Sequence, residues 1–111
     1  MEPMLTAAQA DLPVVDGDGM GRAFPEMQMC TWSIYGHREA PGAMADEKGN
    51  IVIIRETPND IWLERIARSV VVAMGAAAGL ATQPMRGDFV KRAAIPNTIT
   101  QALNLGRAVL N

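Results

Sequence analysis

Apolar residues recur along this chain with two different periods. Leu63, Ile66, Ala67, Val70, Val71 and Met74 return at helical spacing, while Glu64, Arg65 and Arg68 fall on the other side. That period predicts an amphipathic helix. Thr57-Pro58-Asn59-Asp60 reads as its start: threonine caps, proline suits the first position, and Asp60 closes a capping box. Residues 70–78 are apolar on nearly every side, which predicts burial against several neighbours or a sheet face. Gly75 and Gly79 allow close packing or mark the end. A second helix is predicted from Thr98, where Thr98 and Gln101 fit a capping box. Ile99, Ala102, Leu103, Gly106, Val109 and Leu110 supply its apolar side.

Shorter apolar runs read as strands. Ala43-Met44-Ala45 leads through Asp46-Glu47-Lys48-Gly49-Asn50 into the β-branched Ile51-Val52-Ile53-Ile54, a hairpin pattern. Val14 and Val15 predict a brief strand, and residues 27–35, with Trp32, Ile34 and Tyr35, predict another. Residues 6–10 read as the end of a short helix, and residues 36–42 and 83–97, broken by prolines and glycines, read as loops. Strands and helices mix without regular alternation. The expected fold class is therefore α/β or α+β: a mixed sheet with a β-hairpin and two main helices, in a domain that is incomplete.

Composition narrows the setting. The chain has 111 residues, enough for one small domain, and 49% are hydrophobic, too many for a disordered chain. The net charge is −2 with the signs interspersed, so the expectation is no nucleic-acid partner. The longest apolar region, residues 69–81, falls short of the ~20 residues of a membrane span. With Glu2 and Asp11 breaking any leader pattern and Cys30 the only cysteine, the expected location is the cytoplasm. Eight methionines fit ordinary gap-filling in a core.

The chemistry concentrates in Asp16-Gly17-Asp18-Gly19-Met20-Gly21-Arg22, which follows Pro13-Val14-Val15 and precedes Ala23-Phe24-Pro25-Glu26. In one reading the amides of Gly17, Gly19 and Gly21 face a ligand as an anion-binding nest. Asp16 and Asp18 then orient a polar substrate or metal, and Arg22 clamps a carbonyl or carboxylate. In the other, the segment is a tight turn in which Asp16 and Arg22 merely pair. The spacing is Gly-x-Gly-x-Gly, not the dinucleotide fingerprint, and no Gly-Lys-Ser/Thr follows. A calcium-loop frame from Asp16 fails because Met20 and Met27 fall at ligand positions. One cysteine and one histidine also fall short of a closed structural zinc site; no set of metal-ligating residues stands out, and no cofactor is specified.

The run from Pro13 through Asp16-Gly17-Asp18-Gly19-Met20-Gly21-Arg22-Ala23-Phe24-Pro25-Glu26 to Met29 resembles the S-methyl thiohydantoin desulfurase-like family. The likeness continues through Pro41, Asp46-Glu47-Lys48-Gly49-Asn50, Trp62-Leu63-Glu64, Ala67-Arg68, Met74-Gly75, Thr98-Ile99 and Gly106-Arg107-Ala108. Members resemble much longer two-domain proteins. On that comparison residues 1–111 form a single partial domain, the later part of the N-terminal one. The resemblance implies a hydrolase that removes the sulfur substituent from an S-methyl thiohydantoin or related cyclic amide. Within that reading the catalytic candidates are Asp18, Arg22 and Glu26, with substrate contacts at Asp16, Gly17, Gly19 and Gly21. A non-catalytic ligand-binding or assembly module is the alternative. The remaining partner is either the rest of a longer chain or further copies in a homo-oligomer.

Glu26 is the candidate general acid or base, beside the loop and walled by Phe24 and Met27; a solvated loop glutamate is the alternative. Cys30 pairs with His37 in a nucleophile reading, or is a buried inert thiol beside an exposed histidine. Glu64 and Arg68, four apart on the helix, read as a surface pair.

Overall fold

The structure, a computed structural model, describes residues 2–23 and 25–111. Along the chain come α1 (Glu2–Gln9), β1 (Gly17–Asp18), a 3₁₀ turn (Met27–Met29), α2 (Thr31–Ile34), β2 (Gly42–Ala45) and β3 (Ile51–Ile54). Then follow α3 (Asp60–Ala73), β4 (Gly79–Ala81), α4 (Gly87–Ala93), β5 (Ile95–Pro96) and α5 (Thr98–Leu110). The expected mixture of α and β is present, with the hairpin and both main helices. Every strand pair among the described residues is antiparallel.

The hairpin β2–β3 pairs Gly42 with Ile54 and Ala45 with Ile51, and β4 adds to the other edge of β2. Its turn is closed by the Asp46 carboxylate, which accepts from the Lys48 and Asn50 amides at 2.9 Å each. One face of this sheet packs on α3. Met44 and Ile54 from the hairpin meet Leu63, Ala67 and Met74 from the helix, and Leu63 is wholly buried. The helix terminates because Gly75 takes φ +102°, so that the Ala76 amide turns back to the Val71 carbonyl at 2.8 Å.

Several expected elements lie elsewhere. Val14 and Val15 form no strand and are 42% and 63% exposed; the strand begins two residues later and pairs with β5. Residues 27–35 are helical, with the Cys30 amide on the Met27 carbonyl and the Ile34 amide on the Cys30 carbonyl. The β preference of bulky side chains comes from packing on a pleated sheet. Here Ile34 and Tyr35 point to solvent and Trp32 lies over a glycine, so that preference has nothing to act through. The stretch read as a loop at 83–97 contains α4 and β5. Residues 70–78 are not enclosed: Val72 is 67% exposed and Val70 and Val71 are half-buried.

Both helix starts differ from the expected boxes. The cap of α3 is Asn59, whose side-chain oxygen accepts from the Trp62 amide at 3.1 Å, while the Thr57 hydroxyl donates to the Asn59 carbonyl. Asp60 is then the first helical residue, and its carboxylate serves other partners. The cap position of α5 is Asn97, left-handed at φ +64° with no side-chain bond. Its amides are capped from the far end of the chain.

Candidate functional site

The segment 16–29 lies between two anchors, α5 on one side and α3 on the other. Asp16 supplies the missing cap of α5. Its carboxylate accepts from the Ile99 amide at 3.1 Å, the Thr100 amide at 3.0 Å and the Thr100 hydroxyl at 2.6 Å. The Thr100 hydroxyl and amide hold the Asp16 carboxyl below its ordinary value. A carboxylate there satisfies open amides at the positive end of the helix. Asp16 therefore faces α5, and it does not pair with Arg22.

Asp18 turns back on its own loop. One carboxylate oxygen accepts from the Met20 amide at 2.7 Å and the Gly21 amide at 2.6 Å. Burial pushes this carboxyl up, but the Gly21 and Met20 amides outweigh it and leave the carboxyl below its ordinary value. The anion of this nest is the protein's own aspartate.

Close approach explains the glycines. A Cβ on Gly19 would sit 2.5 Å from the Trp32 indole nitrogen, and one on Gly17 would sit 2.9 Å from the Ile95 carbonyl. Gly21 adds a left-handed φ of +68°. Gly19 is buried, and its carbonyl accepts from the Thr31 amide at 2.7 Å, which joins the loop to α2.

Arg22 and Glu26 remain outward. Both are exposed, and Arg22 makes no ion pair among the described residues. The Glu26 carboxylate accepts from the Gln28 side-chain amide. Of the apolar wall expected around Glu26, Met27 is half-buried against the core, and Phe24 lies outside the described residues.

Glu64 and Arg68 are more than a surface pair. Glu64 is 7% exposed, bonded to Arg68 Nε at 2.7 Å, and accepts the Met27 amide at 3.1 Å. Arg68 Nη2 donates to the Pro25 carbonyl at 2.6 Å. The sequence carried a signal for this: Glu64 lies three residues before Ala67 and seven before Val71, on the flank of the buried face.

A second polar cluster was not legible as such. Asp60, 5% exposed, accepts the Ser33 hydroxyl at 2.5 Å and the Glu39 amide at 3.1 Å, with Arg38 Nε at 3.9 Å. It ties α2, the 38–39 segment and α3 together. Burial pushes the Glu39 carboxyl up and the Asp60 charge adds to this, against opposing contributions from the Thr82 hydroxyl and His37. His37 stacks on Phe89 at 5.5 Å and contacts the Gln83 carbonyl at 3.2 Å, so its ring partners are these and not Cys30. Burial, then the charges of Glu39, Asp18 and Glu64, push the Cys30 thiol up, away from thiolate chemistry.

Among the described residues no helix is long and apolar enough to cross a membrane. A family model described as S-Me-THD-like, N-terminal domain, matches residues 1–56, and one described as S-Me-THD-like, C-terminal domain, matches residues 58–111. The likeness is thus not confined to an N-terminal domain, and the core draws residues from both sides of the junction. A search of curated proteins found no match. Among solved structures, the X-ray structure of a protein from Chromobacterium violaceum, a structural genomics target, is similar at a TM-score of 0.79 and 34% identity. The alignment covers 96% of this chain and 31% of that one, so the chain spans about a third of its solved relative.

Proposed function

This chain belongs to the S-Me-THD-like family, and we propose that it carries part of the site of a hydrolase acting on an S-methyl thiohydantoin or related cyclic amide. In that reaction water adds to the ring carbon that bears the S-methyl group. The carbon–sulfur bond then breaks, and methanethiolate leaves with a proton as methanethiol. The ring keeps the oxygen as a hydantoin carbonyl, and the second proton of the water ends on the adjacent ring nitrogen.

The observation that carries the assignment of roles is the division of labour in the segment 16–26. Asp16 and Asp18 are committed to backbone amides, and Gly17, Gly19 and Gly21 to close packing, so they shape the loop that any substrate would meet. Arg22 and Glu26 are the charged side chains left facing solvent. In this proposal Arg22 binds the ring carbonyl, and Glu26 moves the proton between water and the leaving thiolate.

The test is methanethiol release from an S-methyl thiohydantoin by a full-length relative that contains this segment, with the substitutions made at the positions that match Arg22 and Glu26. Glu26→Gln is expected to lower the rate by about 100-fold or more, the usual weight of a positioned acid or base, and Arg22→Ala by about 100-fold through loss of a donor to the ring carbonyl. Unchanged turnover in both removes the loop from the mechanism. Saturable binding without any release of methanethiol overturns the hydrolase reading in favour of a ligand-binding module.

A further inference from the structure

Glu26 sits between two backbone ties to the same helix. On its N-terminal side the Pro25 carbonyl accepts from Arg68 Nη2 at 2.6 Å. On its C-terminal side the Met27 amide donates to Glu64 Oε2 at 3.1 Å. Arg68 Nε and Glu64 Oε1 close the bracket at 2.7 Å. The helix that carries both residues is fixed in turn by wholly buried Leu63 and by Ala67, 4% exposed. Glu26 itself is extended, at φ −143° and ψ 145°, with its carboxylate held by Gln28.

Such a bracket differs from an ordinary loop anchor in what it leaves free. It fixes both peptide groups beside one residue while that residue's side chain stays in solvent. The cost is a buried carboxylate, Glu64, which is stabilised by an arginine whose far end reaches water. Pre-organising a reacting group through its neighbours is the arrangement in which small displacements change rate more than binding. We infer that Glu64 and Arg68 are positioning residues for Glu26, acting through the backbone on either side of it. This inference rests on the reading of Glu26 as the proton-transfer group.

In a full-length relative that contains this segment, the test compares Glu64→Ala, which removes the acceptor, with Glu64→Gln, which keeps an oxygen for the Met27 amide. In Glu64→Ala, kcat for methanethiol release is expected to fall about tenfold or more with KM unchanged. The pH profile of kcat should move with it, and Glu64→Gln should restore most of the rate. Independently of turnover, the Glu26 carboxyl titration followed by carbon NMR should shift in Glu64→Ala and return in Glu64→Gln. If Glu64→Ala fails to fold, Arg68→Met replaces it and is expected to show the same pattern through the Pro25 side. A folded variant with unaltered Glu26 titration and unaltered kcat overturns the positioning role. If instead Glu26→Gln leaves kcat intact while the titration still responds to Glu64, the positioning is real and the catalytic reading of Glu26 is what fails.

Discussion

At the scale of single residues, the glycine-acid run is best understood through what each member touches. Gly19 has the Trp32 indole where its side chain would be, so Gly19→Ala must push the ring off the loop or distort the backbone. Overpacking of this kind costs about 1–3 kcal/mol. A matching drop in urea-unfolding stability is expected, along with a change in Trp fluorescence; wild-type stability in this variant would mean that the indole does not rest there. Asp16 makes a different kind of contact, joining residues 83 and 84 positions apart in sequence. Asp16→Ala should loosen α5 without abolishing the rest of the fold, visible as faster amide exchange at Ile99 and Thr100. Because its folded carboxyl lies below the ordinary value, its contribution is present at neutral pH and fades as pH falls through that lowered value. Wild type and Asp16→Ala should therefore converge in stability in acid.

At the scale of elements, buried charge decides behaviour more than propensity does. Glu39, 5% exposed, lies between α2 and β2 against Asp60, the first residue of α3. Its carboxyl is pushed up by burial and by Asp60, so the folded form holds its proton longer than the unfolded chain does. The stabilisation is complete below the unfolded value and is lost as pH rises through the raised folded value. The difference in stability between wild type and Glu39→Gln should hence shift in favour of the variant across that interval and flatten above it. A difference that does not change with pH would show that Glu39 titrates alike in both states.

Which elements were legible follows from the same physics. The hairpin and α3 announce themselves because one local period and one turn specify them, and α5 because its apolar stripe is long. The short strand β1 has two residues and a partner 77 to 79 positions away, so no local pattern encodes it. The 27–35 segment misleads because Trp32, Ile34 and Tyr35 resemble strand residues, while their environment offers no sheet. The glycine loop was recognisable as a special place. That its two aspartates serve α5 and the loop's own amides was not, since neither partner is set by spacing within the run.

At the scale of the molecule, the apolar core is small for the amount of chain. The accessible surface is 8147 Å², whereas a folded chain of this mass exposes about 6,000 Å². The radius of gyration is 14.9 Å against about 13 Å for a compact chain of this length. Large apolar side chains such as Ile51, Ile53, Leu105 and Leu110 are 60–88% exposed, so cohesion depends on the few residues that do meet. Leu63 is the centre of that set, with the hairpin on one side and Ala67 and Met74 beside it. Leu63→Ala should cost about 2–5 kcal/mol. That is comparable to the whole stability of a marginal domain, about 5 kcal/mol at the low end. The expected outcome is loss of the cooperative urea transition in Leu63→Ala. Val72→Ala, on the same helix at a position 67% exposed, should stay within about 0.5 kcal/mol of wild type. Equal effects at the two positions would mean that in solution the helix buries a face other than the one packed on the hairpin.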